Sequence, residues 1–152
     1  MRISSIEQLA EVMTNLHDCP FDLDRATFDE ASHTWRGFFL RPLWDDPRAE
    51  HRGFWLFYVR SRLPVTEATL TISGINKYVV ADNARIGQYS FNEVKPIQNG
   101  LRLHFNENLD IDLGIVGALQ ASYEERPLPE LCAIYRQHFL VQSGPSIERN
   151  AS

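Results

Sequence analysis

The chain has 152 residues, 43% of them hydrophobic and 11% aromatic, with a formal net charge of −5 and a pI near 5.5. That length suits one domain burying ~68–70% of its unfolded surface, and the composition excludes a disordered chain. The acidic balance argues against a general nucleic-acid binder, whose affinity rests on neutralising phosphates, and no run approaches the ~20 apolar residues of a membrane-spanning helix.

Residues 4–9 open a helix. Ser5 can cap it, and Gln8, three residues on, completes a capping-box pattern. Ile6, Leu9, Val12, Met13 and Leu16 follow at helical spacing as one apolar stripe. The helix is expected to end near His17-Asp18, because Pro20 disfavours helical geometry at Cys19. From residue 21 to 123 the reading is almost entirely strand. Residues 21–29 alternate, 30–32 make a polar turn, and 34–43 form an aromatic-rich strand that stops at Pro42. Residues 44–53 read as a polar loop. Residues 54–62 are apolar on both parities, the pattern of a central strand covered on both sides. Residues 68–72 alternate, Gly74 breaks the pattern and 75–81 resume it. After a turn at residues 82–85 comes a strand over 86–94. A loop over 96–100 follows, with Asn99-Gly100 supplying the positive backbone angles of a tight turn.

The stretch from 101 to 113, LRLHFNENLDIDL, carries a hairpin with its register written into it. Leu101, Leu103 and Phe105 mirror Leu113, Ile111 and Leu109 about Glu107, while His104 faces Asp110 and Arg102 faces Asp112. A two-residue turn would mix the faces, so parity demands an odd loop. Opposite charges facing across strands contribute roughly 0.2–1 kcal/mol each. A weaker strand spans 114–123. Pro129 starts a short closing helix over 130–140, with Leu131, Ile134, Tyr135 and Leu140 as its apolar set. The sum is an α+β, mainly antiparallel β domain over residues 1–142. It is a curled sheet, two-layer sandwich or partial barrel of about 7–8 strands, with a helix at each end. Residues 143–152 are expected to be a disordered tail.

Two pairs of carboxylates, Asp22/Asp24 and Asp110/Asp112, sit two apart, which in a strand aims both the same way at about 6.6 Å. Oxygen ligands of that kind suit Mg²⁺ or Ca²⁺, but the pattern lacks a glycine-bearing calcium loop and reads first as a solvent face. The five histidines show no zinc spacing, so no metal or cofactor is expected. His17 beside Asp18 could act as acid, base or ligand, or simply sit at the negative end of a helix dipole. Arg36, Arg41, Arg48, Arg52, Arg60 and Arg62 crowd the middle of the chain near Trp35, Trp44 and Trp55, and Arg60 and Arg62 share a strand face. They suit carboxylate or phosphate, or pair with Asp45, Asp46 and Glu50 on an exposed face. Cys19 and Cys132 lie in no redox or metal spacing, which reads as two reduced thiols in a cytoplasmic protein. No nucleophile elbow, phosphate loop, dinucleotide fingerprint or zinc-protease motif is present, so the reading leans away from an enzyme.

The exit through Leu16-His17-Asp18 into an alternating strand, followed by hairpins ending in LRLHF and LDIDL, resembles small bacterial β-rich domains of unknown function. Some of those sit in toxin–immunity loci. The likeness covers about two-thirds of the chain in layout. The loop at 44–53 and the closing helix depart from it. It implies no catalytic residues and favours binding over chemistry. The leading expectation is a non-catalytic protein-interaction module, immunity-like, presenting a charged sheet face or the 44–53 loop to a protein partner or a second copy. A basic partner would complement the −5 charge. The alternative is a small-molecule binder or enzyme with a pocket inside the curled sheet, drawing ligand-binding groups from His17, Asp18, Asp22, His104, Arg60 and Arg62.

Overall fold

Ser5 is the N-cap of helix α1 (Ile6–Thr14): its Oγ accepts the Gln8 backbone N–H at 3.2 Å. The Gln8 side-chain oxygen reaches back to Ser4 N at 3.0 Å, so the return arm of the capping box falls one residue early. α1 ends at Thr14, short of His17-Asp18, and tighter bonds carry the chain on, Leu16 N to Met13 O at 2.9 Å and Cys19 N to Leu16 O at 2.9 Å. Asp18, at φ 60°, then reverses the direction. Leu9, Met13 and Leu16 are fully buried, as the apolar stripe requires.

The computed structural model describes residues 1–54, 58–138 and 141–150. Ten strands follow in chain order: β1 (Arg2–Ile3), β2 (Pro20–Asp22), β3 (Thr27–Asp29), β4 (Thr34–Pro42), β5 (Glu50–Phe54), β6 (Tyr58–Asp82), β7 (Gln88–Ile97), β8 (Gly100–Phe105), β9 (Leu109–His138) and β10 (Val141–Arg149). Their hydrogen-bonded order is β1-β9-β8-β7-β2-β4-β6-β5, and a further β9–β6 pairing closes a ring of six, β9-β8-β7-β2-β4-β6. The mainly antiparallel reading therefore holds, with a closed barrel and extra strands where a curled sheet, sandwich or partial barrel was expected. Closure leaves those six strands without a free edge at the ring.

The chain forms two compact units: Met1–Phe39 with Ala68–Glu125, here unit 1, and Leu40–Glu67 with Arg126–Ser152, unit 2. In unit 1 the β8–β9 hairpin has the register its sequence specifies, Phe105↔Leu109, Leu103↔Ile111 and Leu101↔Leu113, with His104↔Asp110 and Arg102↔Asp112 on the other face. The odd tip, Asn106–Asn108, is made possible by positive φ at Glu107 and Asn108, both 61°. Phe21, Phe39, Phe91 and Phe105 pack as one aromatic group, with Phe21 and Phe105 centroids 4.5 Å apart and Phe91 edge-on to Phe39 at 5.8 Å. Such pairs add ~0.5–1.5 kcal/mol each beyond the area they bury. The β7–β8 turn is the two-residue Gln98-Asn99, with Asn99 at φ 59°. Gly100 serves a different need from the expected backbone angle, because a Cβ there would lie 2.1 Å from the Leu113 carbonyl oxygen.

Several expectations are corrected. Residues 21–29 are not one strand: the Asp22 carboxylate captures Asp24 N at 3.0 Å and turns Leu23–Arg25 into a 3₁₀ turn between β2 and β3. Residues 44–53 are loop only in their first part, since Glu50–Phe54 forms β5. Residues 54–62 are not a covered central strand. Phe54 pairs with Tyr58 across the β5–β6 hairpin, and Val59 is exposed; Trp55, Leu56 and Phe57 lie outside the described residues. Over 130–138 the closing helix does not form, because β9 continues to His138; residues 139–140, with Leu140 of the expected apolar set, lie outside the described residues. An apolar run as short as Leu131–Tyr135 satisfies helical and extended spacing alike. The expected tail supplies the strand that decides it: β10 pairs with β9 from Val141↔His138 to Arg149↔Leu131, satisfying backbone groups that a helix would have satisfied within itself. Unit 2 closes over Leu63, Val65, Leu128 and Ala133.

Candidate functional site

In unit 1 the nominated groups are engaged with one another. His17 Nδ1 lies 3.1 Å from Asp18 Oδ2, with both side chains more than half exposed. Asp22 is committed to the 3₁₀ turn, so Asp22 and Asp24 do not form a strand-face pair. Arg102 grips Asp112 in a two-pronged contact, Nε–Oδ1 2.6 Å and Nη2–Oδ2 2.8 Å, and reaches Asp110 at 3.4 Å. His104 Nδ1 lies 2.6 Å from Asp110 Oδ1. The Arg102 guanidinium holds the Asp112 carboxyl below its ordinary range, and Asp112 in turn raises Arg102. The second carboxylate pair is thus an ion-paired hairpin face. Among the described residues no cluster of three His, Cys, Asp or Glu is placed to hold a metal ion. Phe21, Phe39, Phe91 and Phe105 pack together within the core of unit 1.

Unit 2 brings together groups that the other nominations leave apart. The β5–β6 register sets Glu50↔Arg62, His51↔Ser61, Arg52↔Arg60 and Gly53↔Val59. Alternation puts Glu50, Arg52, Arg60 and Arg62 on one face, where they line a hollow of about 100 Å³. Residues directly opposite in an antiparallel pair have Cβ atoms ~4.5–5.5 Å apart, so Arg52 and Arg60 are a like-charge pair, which opposes folding. Arg52 reaches Glu50 at 3.4 Å. The Arg60 side chain makes no hydrogen bond or ion pair among the described residues. Arg62 donates to Asn150 Oδ1 at 2.6 Å, and Asn150 is itself anchored, its Nδ2 donating to Pro129 O at 2.6 Å and its N to Glu130 O at 2.8 Å. The Cys132 thiol beside Arg62 raises the guanidinium above its ordinary value, with Glu50 and Glu148 adding to it.

On the opposite face of the same hairpin, His51 Nδ1 lies 2.9 Å from the buried Ser61 Oγ. Trp44 stacks on His51 with centroids 6.2 Å apart and rings 11° from parallel, and meets Tyr135 at 4.6 Å. Trp44 nevertheless remains 46% exposed. Asp46 takes Arg48 N, Nε and Nη2 at 2.8–2.9 Å, fixing the loop that carries Trp44. Those bonds, the side-chain pair first, hold the Asp46 carboxyl at about 2.

Arg60 and Arg62 were legible as a same-face pair. Arg52, Glu50 and Trp44 stood in the arginine-rich stretch and the 44–53 loop, but their placement about one hairpin with Arg60 and Arg62 was not read. Their signal is a mirror pattern, Glu50-x-Arg52 against Arg60-x-Arg62 about residue 56, of the same kind that reveals the β8–β9 hairpin. Charge is also divided between the units. Unit 1 carries seven Lys and Arg against fourteen Asp and Glu, net −7, while unit 2 carries eight against six, net +2.

Unit 1 offers two surface hollows of about 570 and 510 Å³ beside β1 and the start of α1. Their linings mix apolar residues such as Ile3, Ile6 and Leu119 with polar ones such as Thr71, Ser73, Asn99 and Gln120, and Arg2 and Glu7 are the charged members. None of the six nominated residues lines either one. No helix among the described residues is long and apolar enough to cross a membrane. Compared with known proteins, the chain matches no family model, no curated relative and no solved structure.

Proposed function

We propose that this chain is a non-catalytic protein-binding module, and that its docking surface is the Trp44 platform of unit 2. The observation that carries the reading is a large aromatic side chain held in place by Tyr135 and His51 yet 46% exposed. Interface hot spots are enriched in Trp, Tyr and Arg, and a side chain already fixed loses little rotamer freedom on binding. Unit 2 is net +2, which favours a partner presenting acidic side chains. The chain's total of −5 had suggested a basic partner, but that excess lies in unit 1. An immunity-like role is the form the layout resemblance suggests for such a module.

The test is cross-linking and co-purification from the native cell with three chains: wild type, Trp44→Ala, and Val116→Ser as an exposed control on unit 1. The expected result is a partner retained by the wild type and Val116→Ser and lost with Trp44→Ala. Equal recovery by all three would remove Trp44 from the interface. No partner for the wild type would remove the reading.

A small-molecule ligand is the second reading, supported by the two hollows of unit 1, whose volumes fall in the ~300–1,000 Å³ range of ligand sites. A ligand at 100 times its Kd would add ~2.7 kcal/mol of stability, and a flat thermal-shift screen against metabolites, sugars and nucleotides would count against it.

A further inference from the structure

The arginine face of the β5–β6 hairpin carries a cost that no contact among the described residues explains. Two arginines stand directly opposite each other, and a third stands opposite the single carboxylate, Glu50. Among the lining residues, three guanidinium groups against one carboxylate leave a charge of +2 around a concave hollow, and the Glu148 carboxylate that also acts on Arg62 is paired with Arg136 at 3.6 Å. Surface charges are usually arranged to avoid opposed like pairs, because these destabilise a sheet. The arrangement is also not loose. Arg62 is fixed from behind by Asn150, whose own amide is tied to the Pro129 and Leu131 carbonyls at 2.6 and 3.3 Å. Arg60, across the hollow, has its donors uncommitted among the described residues.

We infer that the Arg52, Arg60 and Arg62 hollow is a binding site for a phosphate-type oxyanion. The guanidinium fork presents paired N–H donors whose spacing matches two oxygens of a tetrahedral phosphoryl group. A dianion cancels the local +2, whereas a carboxylate would leave half of it in place. The hollow of about 100 Å³ admits an oxyanion with a few waters, and it is too small for the ~300 Å³ and above of a typical organic ligand. Its position on the face opposite His51 and Ser61 separates it from the Trp44 platform, so the inference stands without the protein-binding proposal. Because the site opens to solvent, binding weakens as salt rises. The bound group is either free inorganic phosphate or the phosphoryl end of a phosphomonoester.

Calorimetric or NMR titration at fixed ionic strength tests this on the full-length protein, with inorganic phosphate, glycerol phosphate and acetate as separate probes. The expected result is saturable binding of at least one phosphate probe, and binding of acetate at least tenfold weaker. Arg60→Gln and Arg62→Gln should each weaken phosphate binding tenfold or more. Arg48→Gln, which removes a cation already paired to Asp46 outside the hollow, should leave it within twofold. Glu50→Gln should tighten it. Preference for glycerol phosphate over inorganic phosphate would assign the monoester as the source, and the reverse would assign the free ion. Arg60 is exposed and its side chain has no partner among the described residues, so Arg60→Gln decides the matter even if Arg62→Gln does not fold. Acetate binding as tightly as phosphate, equal weakening by Arg48→Gln and Arg60→Gln, or no saturation with either phosphate probe would overturn the assignment.

Discussion

The two units place their large side chains in opposite ways. Unit 1 turns Phe21, Trp35, Phe39, Phe91 and Phe105 inward, all at 0–1% exposure, and pairs its surface charges, as Arg102 with Asp112 and His104 with Asp110 show. Among the described residues of unit 2 the fully packed cluster is aliphatic, Leu63, Val65, Leu128 and Ala133. There Trp44 meets Tyr135 at a tilt at or near the surface, and Arg52 faces Arg60. A small core supplies little stability in reserve, yet unit 2 holds both of the arrangements that oppose folding or sit open to solvent. The large aromatic core thus lies in one unit and the proposed recognition surface in the other, and sites that cost stability are commonly where function resides.

The strongest way to break that comparison is to empty one packed position in each unit. Phe105→Ala should cost ~3–5 kcal/mol, because it removes a ring in contact with three others. Leu63→Ala should cost ~2 kcal/mol, the lower end for such truncations, since the smaller cluster around it can relax. Denaturant unfolding measures both, and equal losses would end the claim that unit 1 holds the reserve. At a smaller scale, Ser5→Ala should remove ~1 kcal/mol by orphaning the Gln8 N–H at the start of α1. Native-state hydrogen exchange should place that loss in unit 1.

Arg60→Gln sharpens the contrast from the other side. In phosphate-free buffer it should leave the melting temperature unchanged or raise it, because it dissolves a like-charge pair. A clear fall would mean that Arg60 supports the fold. The smallest effect concerns acid. Asp112 and Asp46 both have carboxyl pKa values lowered in the folded state, from 3.8, and Asp46 reaches about 2. Each therefore contributes stability that is fully present above pH 3.8 and is lost as pH falls through its folded value. Asp112→Asn and Asp46→Asn should lower stability at neutral pH; Asp46→Asn should flatten the decline between pH 3.8 and about 2, and Asp112→Asn the decline below pH 3.8, as circular dichroism melts along the acid range would record.

Local pattern decided what was legible in the sequence. The β8–β9 register could be read because two alternating arms mirror each other about an odd tip, and a slip of one residue would bury Arg102 and His104. The α1 cap was legible for a similar reason, since Ser5 and Gln8 sit within one turn of each other. Unit 2 depends on partners remote in sequence. The run through Leu131–Tyr135 becomes a strand only because Ile147 and its neighbours lie against it, and β10 shows no alternation that would announce it. Asp22 misled in the reverse direction, since its carboxylate bonds to the backbone two residues on and ends a strand that hydrophobic alternation would extend. Arg60 and Arg62 stood out by spacing, but Arg52 joins them only once the β5–β6 hairpin is known.

The two cysteines fall one to each unit, Cys19 in unit 1 and Cys132 in unit 2, both 4% exposed and neither in a disulfide. A thiol reagent reaches either sulfur only when the surrounding structure opens. The unaltered chain thus carries two chemical clocks, and peptide mapping of the modified sulfurs would time the opening of each unit separately. The clock at Cys132 lies beside Arg62, so an anion seated in the arginine hollow would slow it while the one at Cys19 kept its pace.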